Sequence, residues 1–117
     1  MIKGIDQPHI VIEGLEENKT NYFSNSFNEI AGKLYYLDSS LGETETLKSY
    51  NLKIYEKESN DFVIRVPEQL TNPFSPNEFH YIFNYLFEDD IEYRLEFTYT
   101  TTNLYTETIN YDFKIIK

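Results

Sequence analysis

The sequence predicts an all-β protein built as a two-sheet antiparallel β-sandwich of about seven strands. The first observation is strict alternation, since apolar and polar side chains take turns along EYRLEFTY at residues 92–99, the period of a strand with one solvent-facing side. The second is composition, because 11 Tyr and 9 Phe accompany many Thr and Ile residues, all of which favour strands. The third is that short alternating segments recur between turn signals, without a helical period.

The length of the chain bounds its organisation. A chain of 117 residues is expected to form one domain, residues 1–117, with a core that folds without disulfide bonds. It contains no cysteine, which excludes disulfides and thiolate chemistry. No apolar run approaches the roughly 20 residues that cross a bilayer, so membrane insertion is not expected.

The charge of the chain argues against nucleic acid as a partner. The formal net charge is −10, from 20 acidic and 10 basic residues that are scattered along the chain. Binding to phosphates requires clustered Lys and Arg side chains, and the sequence has no basic stripe. The acidity is interpreted as a feature that keeps the protein soluble.

The N-terminal half predicts three strands and one irregular segment. The β-branched run HIVI, closed by Gly14, predicts a first strand over residues 8–13. Residues 16–29 are rich in Asn and Ser, so they form either a long loop or a broken strand with its own apolar anchor. The second strand covers residues 30–37, with Leu34 and Tyr36 on one face, and the third covers residues 47–55.

The C-terminal half predicts four further strands. FVIRV at residues 62–66 is a short fourth strand that Pro67 ends. Residues 67–78 contain three prolines and no periodicity, which indicates a crossing loop with one helical turn at residues 67–70. The fifth and sixth strands lie within residues 79–97, joined by a short acidic turn. The seventh begins near Glu107, after a hairpin loop at residues 100–104.

Leu86 and Tyr93, at the entrance to an alternating strand, resemble the corner of fibronectin type III and related immunoglobulin-like domains. In that corner, a Leu precedes by six or seven residues a Tyr whose hydroxyl returns to the upstream backbone. The resemblance implies an immunoglobulin-like sandwich with Leu86 and Tyr93 as its structural corner. We expect the hydrogen bond of Tyr93 to contribute about 1 kcal/mol and its packing about 3 kcal/mol.

A narrower resemblance covers residues 30–117. SYNLKIY at residues 49–55, FHYIF at 79–83 and YRLEFTYTTTN at 93–103 are similar to fibronectin-like modules of tail and minor structural proteins in phages of Gram-positive bacteria. The similarity implies a virion component whose partners are phage tail proteins or copies of the same chain. Leu104 stands where the family's turn has glycine, and a branched residue resists the positive φ of a tight type I′ hairpin.

No catalytic, cofactor or metal site is predicted from the acidic residues or the histidines. One acidic group near a turn offers oxygen ligands for calcium, yet its spacing matches no EF-hand loop: Asp38, Glu43 and Glu45. A second group consists of carboxylates that repel one another and diverge: Glu88, Asp89, Asp90 and Glu92. His9 and His80 are far apart in sequence, and His80 is expected to point away from the core.

The excess of aromatic residues is the feature with functional promise. Demand for core side chains explains many of them, but others fall on alternate faces or in loops. Exposed tyrosines suit protein interfaces and also stack on sugars. The candidates for an interface or for glycan stacking are Tyr22, Tyr35, Tyr85 and Tyr105.

These observations lead to two functional hypotheses. The first is a non-enzymatic structural or interaction module, a phage tail or baseplate component of the virion that acts through protein–protein interfaces. The alternative is a carbohydrate-binding or adhesion module, extracellular or at a cell surface, whose tyrosines stack on a surface glycan. An enzyme is not expected, because nothing in the sequence supplies paired, environment-tuned carboxylates.

Overall fold

The computed structural model describes residues 8–24, 27–36, 47–71, 77–83, 85–102 and 104–116, without the side chains of Pro8, His9, Tyr35 and Tyr36. The described ranges contain strands and no helix, and hence no helix long and apolar enough to cross a membrane. The prediction of an all-β protein is confirmed. The strands are β1 (Pro8–Ile12), β2 (Thr20–Ser24), β3 (Glu29–Tyr36), β4 (Leu47–Glu56), β5 (Phe62–Leu70), β6 (Glu78–Ile82), β7 (Glu92–Thr101) and β8 (Thr106–Ile116).

The strands form two sheets, as the sequence predicts. One sheet has three strands in the order β1-β3-β6, and the other has five in the order β2-β8-β7-β4-β5. The two alternating runs of residues 79–97 therefore belong to different sheets, because β6 lies in the first and β7 in the second. The connection between β6 and β7 therefore crosses from one sheet to the other.

The predicted antiparallel pairing holds except at β2, which pairs with β8 in parallel. This strand is the broken-strand alternative for residues 16–29. The buried side chain of Asn21 explains why an Asn-rich segment forms a strand here. The amide nitrogen of Asn21 donates to the carbonyl oxygens of Glu16 and Asp112, both at 3.0 Å. Its Oδ1 also accepts from the backbone N–H of Glu16 at 3.0 Å, so every polar atom of the buried amide is bonded.

The core lies between the sheets and is built from the alternating side chains of β7 and β8. Along β7, every second residue from Tyr93 to Thr101 is buried, as the period of two requires. Aromatic contacts join the two sheets, because the ring of Phe79 in β6 stacks on Phe97 in β7, with 4.7 Å between centroids. Leu34, on the strand that the sequence predicts over residues 30–37, is buried in this core.

Gly32 leaves the space that the ring of Phe79 occupies. Gly32 and Phe79 are cross-strand neighbours in β3 and β6. A Cβ at residue 32 would lie 2.5 Å from the Cζ of Phe79 and 2.6 Å from the carbonyl oxygen of Val11. Because these distances are far below van der Waals contact, only glycine fits beneath the ring.

The fourth strand does not end at Pro67, contrary to the prediction, and the predicted helical turn at residues 67–70 is also wrong. β5 runs through Pro67 to Leu70, and the connection to β6 starts at Thr71. β5 is one of the two edge strands of its sheet, and a missing N–H is tolerated on an edge strand. The register shifts between the Tyr50 and Leu52 pairs, so that Pro67 and Glu68 together face one residue of β4, which is a β-bulge.

The β7–β8 hairpin corrects the expectation for Leu104. Its φ is +67°, so this branched residue does adopt the left-handed conformation. The turn is closed by Thr101, whose carbonyl oxygen accepts from the N–H of Leu104 at 2.9 Å and whose Oγ1 accepts from the N–H of Tyr105 at 3.1 Å. These bonds hold the backbone in a conformation that a side chain disfavours, and Leu104 itself is 69% exposed.

Candidate functional site

Tyr93 forms the corner at which the connection of residues 83–91 enters β7. Its hydroxyl accepts a hydrogen bond from the backbone N–H of Glu88 at 2.9 Å. Its ring is fully buried and stacks on Phe113 of β8, with centroids 5.4 Å apart. Burial raises the pKa of the Tyr93 hydroxyl, so the group stays protonated and neutral over the ordinary pH range.

Phe87, and not Leu86, fills the interior side of this corner. Phe87 is buried and makes edge-on contacts with Tyr93 at 5.1 Å and with Phe113 at 5.3 Å between centroids. Leu86 is 77% exposed. The spacing to Tyr93 singles out Leu86 in the sequence, but the neighbouring aromatic side chain takes the buried place and leaves Leu86 on the outside.

The segment that follows Leu86 carries exposed carboxylates. Glu88 and Asp90 are exposed, and neither forms an ion pair within the described ranges. The N–H of Asp90 donates to the carbonyl oxygen of Ile115 at 3.2 Å, so the segment is attached to β8 as well as to Tyr93. We call Leu86, Glu88 and Asp90 the corner surface. It presents one apolar side chain and two carboxylates, of which Asp90 also lines a cleft with Lys57 and Lys114.

Glu92, the last carboxylate of the second acidic group, has partners outside the corner surface. Glu92 lies 3.3 Å from the Nζ of Lys57 and accepts a hydrogen bond from the hydroxyl of Thr20 at 2.9 Å. Among the described residues, no group of three His, Cys, Asp or Glu side chains is placed to hold a metal ion. The candidate calcium ligands Asp38, Glu43 and Glu45 lie outside the described residues.

An ion-pair network covers the outer face of the five-stranded sheet around Asp112. The Nε of Arg94 lies 2.7 Å from Oδ1 of Asp112, and the Nζ of Lys57 lies 3.0 Å from its Oδ2. The hydrogen bond from Arg94, followed by that from Lys57, lowers the pKa of the Asp112 carboxyl. The hydrogen bond to Asp112 in turn raises the pKa of Lys57 and of Arg94, so this part of the face neutralises its own charges.

A second group of charged and aromatic side chains on the same outer face has no such ion pairs. Lys53 lies directly opposite Arg65 in the β4–β5 register, and Tyr55 lies opposite Phe62, so all four belong to one side of the sheet. The guanidinium of Arg65 lies 4.3 Å from the ring centroid of Phe62, and the Nζ of Lys53 lies 5.9 Å from it. The rings of Tyr55 and Phe62 meet edge-on at 5.4 Å. We call these four residues the Phe62 patch.

The Phe62 patch is open to solvent and carries two positive charges beside one carboxylate, that of Glu96 opposite Lys53 in the β4–β7 register. Phe62 is 43% exposed, and both cations are exposed. Neither Lys53 nor Arg65 forms an ion pair with any residue of the described ranges. An exposed aromatic ring flanked by Arg and Tyr side chains has the composition of a binding hot spot.

An open cleft of about 690 Å³ lies against the three-stranded sheet and includes His80 in its wall. As expected from the sequence, His80 is exposed, and its Nε2 lies 2.8 Å from a carboxylate oxygen of Glu29. In the same wall, Lys33 pairs with Glu78 at 3.3 Å. Lys33 and Glu78 of the wall are therefore paired with each other, whereas Glu13, which also lines the cleft, forms no ion pair in the described ranges. The side chain of His9 lies outside the described residues.

The four candidate tyrosines do not come together. Tyr22 lies on β2 opposite Lys114 and is 61% exposed. Tyr85 is half-buried, with its ring edge-on to Phe87 at 5.0 Å, and burial raises its pKa. Tyr35 lies in β3, and its side chain is outside the described residues.

Tyr105 lies at the other end of β7 from Tyr85. It is half-buried, and its ring lies 6.2 Å from that of Tyr99, next to the Thr101 turn. Tyr85 lies near Tyr93, through their shared contact with Phe87. Eight residues of strand separate Tyr93 from Thr101, about 27 Å at the usual rise. Tyr85 and Tyr105 therefore do not belong to one stacking row.

Sequence reasoning missed the Phe62 patch, although a signal for it exists. The turn at residues 57–61 is visible in the sequence, and it brings Tyr55 opposite Phe62. Counting outward from that pair would bring Lys53 to Ile64, but a register shift next to Tyr55 places Lys53 opposite Arg65. What the sequence does not display is the ring contact of Arg65, or that ion pairs elsewhere on the face leave these two cations unpaired.

Comparisons with known proteins give the fold and no family. No protein-family model matches the chain, and no curated protein matches it either. The crystal structure of CopC from Methylosinus trichosporium OB3b is similar, with a TM-score of 0.64 and 11% sequence identity over 93% of this chain and 93% of that chain. At this identity the likeness supports a β-sandwich and no function. It gives no family evidence for a fibronectin type III or phage origin.

Proposed function

We propose that this protein is a non-enzymatic structural or interaction module whose outer surface binds other protein subunits. The observation that carries the proposal is the Phe62 patch, where an exposed ring is flanked by two unpaired cations on a sheet face. Burying such a group against a partner removes apolar surface from water and supplies the missing counter-charges. The fold holds the patch on two paired strands, so little order is lost on binding.

The use of the titratable groups supports a role without chemistry. Asp112 is bound between Arg94 and Lys57, and His80 is bound to Glu29 at an exposed site. Each of these groups is therefore engaged by a neighbouring residue of this chain. Burial is the main cause of the raised pKa values of Tyr50, Tyr93 and Tyr111.

The narrower form of the proposal is a component of a phage tail or baseplate, carried in the virion. Its support is the resemblance of the strand and turn pattern at residues 49–55, 79–83 and 93–103 to such modules, while no family model matches the chain. A β-sandwich with interfaces on its outer faces suits a protein that is present in several copies or beside other tail subunits.

The test is cross-linking mass spectrometry on the assembly or cell fraction that contains the protein, using an amine-reactive reagent. We expect Lys53 to cross-link to a defined residue of a partner protein, because it stands at the patch. Lys48 is also exposed on β4 and forms no ion pair in the described ranges, so it is the matched control. A protein that occurs without partners, or that turns over a substrate, contradicts the proposal.

Glycan binding is the second candidate, and the exposure of Tyr22 is the observation that favours it. A tyrosine ring on an edge strand can stack on a sugar. The test is a glycan array followed by Tyr22→Ala, with Tyr105→Ala as the control at the far end of β7. Glycan binding that is lost in Tyr22→Ala and kept in Tyr105→Ala supports this candidate. An array on which no glycan binds the protein rules it out.

A further inference from the structure

We infer that the partner at the Phe62 patch is a second copy of this chain, whose corner surface docks on the patch. The inference rests on the proposed function and names the partner. The Phe62 patch consists of Lys53, Tyr55, Phe62 and Arg65, and the corner surface consists of Leu86, Glu88 and Asp90. Each offers what the other lacks: exposed apolar surface on both, with positive charge on one and negative charge on the other.

The charges of the Phe62 patch call for carboxylates. Lys53 and Arg65 are directly opposite each other in the β4–β5 register, and like charges in that relation repel. Neither side chain forms an ion pair within the described ranges. Glu96, the carboxylate opposite Lys53 in the β4–β7 register, accepts a hydrogen bond from the hydroxyl of Tyr55 at 3.5 Å instead. A carboxylate placed between them forms charge-assisted hydrogen bonds and removes the repulsion, while an apolar side chain beside it covers the ring of Phe62.

The corner surface supplies that combination on a preorganised segment. Leu86 is exposed beside the exposed carboxylates of Glu88 and Asp90. The segment is fixed from inside by the buried ring of Phe87 and by the hydrogen bond from Glu88 to Tyr93. A docking segment that is already ordered loses little conformational entropy on binding.

The positions of the two surfaces favour a reciprocal contact. Tyr55 of the patch is paired with Arg94, and Arg94 is next to Tyr93 of the corner. Both surfaces therefore lie toward the same end of β7. Two copies related by a two-fold axis bring each corner surface to the other copy's patch, which gives a closed dimer in which each contact occurs twice. Each copy carries a net charge of −10, so two copies repel each other at long range. Physiological salt screens this repulsion.

The test is the dimer dissociation constant at physiological salt, from light scattering and sedimentation equilibrium over a concentration series. Arg65→Glu and Glu88→Lys each place like charges in both contacts of the dimer, and we expect each to weaken it about tenfold or more, or about 1.4 kcal/mol. Mixing the two variants gives a heterodimer in which one contact is native and the other has its charges exchanged. We expect the mixture to recover the wild-type affinity.

Matched controls separate the contact from general changes in charge. Lys48→Glu and Glu17→Lys reverse exposed charges outside both surfaces and are expected to leave the dissociation constant unchanged. Leu86→Ser is expected to weaken the dimer, whereas Leu104→Ser, at an equally exposed leucine at the other end of the sandwich, is not. Circular dichroism confirms that each variant keeps its strands.

Two results overturn the inference. A dimer that is insensitive to Arg65→Glu and Glu88→Lys uses other surfaces, and the proposed interaction module then stands while this interface falls. A wild-type protein that remains a monomer at every concentration also overturns the inference. The proposed function is then decided separately, by the cross-links of Lys53 to a different protein.

Discussion

The hydroxyl of Tyr93 accepts the backbone N–H of Glu88 at 2.9 Å while the ring of Tyr93 stacks on Phe113. One side chain thereby attaches the connection between the sheets to the core of the sandwich. This relationship places Phe87 inside and Leu86 outside, and so it determines which residues the corner surface presents to a partner.

Removing the hydroxyl measures that attachment. We expect Tyr93→Phe to lower the free energy of unfolding by about 1 kcal/mol, because the N–H of Glu88 loses its partner. Tyr111→Phe is the control, since the hydroxyl of Tyr111 forms no hydrogen bond with the described residues, and burial raises its pKa to about 12. Urea unfolding checks both variants. A Tyr93→Phe protein as stable as wild type would show that the bond contributes nothing.

The turn at Leu104 should gain stability from glycine. A left-handed conformation costs a residue with a Cβ about 1 to 2 kcal/mol, and glycine's greater entropy in the unfolded chain returns about 0.5 to 1 kcal/mol of this. We therefore expect Leu104→Gly to stabilise the protein by up to about 1 kcal/mol. Leu104→Ala keeps the Cβ and is expected to give no such gain in thermal unfolding. Destabilisation by glycine would contradict the strain that φ implies.

Gly32 should not tolerate alanine. The added methyl group meets both the ring of Phe79 and the carbonyl oxygen of Val11, and we expect Gly32→Ala to cost about 3 kcal/mol. Shrinking the ring in Gly32→Ala/Phe79→Leu removes one of these contacts but leaves the other, so recovery in urea unfolding should be partial. Full recovery would mean that β1 shifts away without cost.

The network around Asp112 should make stability depend on pH at the acid end. Arg94 and Lys57 lower the pKa of Asp112 in the folded protein, so the stabilisation is complete above the unfolded value of about 3.9. It is lost as the pH falls through the lower, folded value. We expect Asp112→Asn to cost about 2 kcal/mol at neutral pH, with a smaller difference from wild type in acid.

A control for that measurement is the exposed pair of Glu16 and Lys19, whose atoms lie 2.9 Å apart. An exposed pair contributes little, so Glu16→Gln should leave the free energy of unfolding almost unchanged from neutral to acid pH. If Asp112→Asn and Glu16→Gln behave alike in an acid titration followed by circular dichroism, the network does not stabilise the fold.

The two sheets were predictable because their strands alternate. The period of two in residues 92–99 reports directly which side chains are buried, and the observed burial of β7 follows it. β2 was harder, since an Asn-rich segment has no such period, and what holds it is the amide of Asn21 bonded to a carbonyl oxygen 91 residues away. The extension of β5 past Pro67 depends on its position at the sheet edge, which is a property of the topology.

The corner and the Phe62 patch also combine features that the sequence predicts with features that depend on the fold. Tyr93 could be found from its spacing, whereas the exchange of Leu86 for Phe87 on the interior side depends on the space between Tyr93 and Phe113. The pairing of Lys53 with Arg65 depends on a register shift between the Tyr55 and Ile54 pairs, which counting from the turn does not predict. Their lack of counter-charges depends on where every nearby carboxylate points, which local sequence does not contain.

The parallel pairing of β2 with β8 also orders events during synthesis on the ribosome. Residues 20–24 are made early, but their partners are residues 112–116, and β8 also separates β2 from β7 in the sheet. Until β8 emerges from the ribosome, β2 has no neighbour and β7 lacks one of its two. Strands with such distant partners fold slowly, so the sandwich closes only after nearly the whole described chain has been translated.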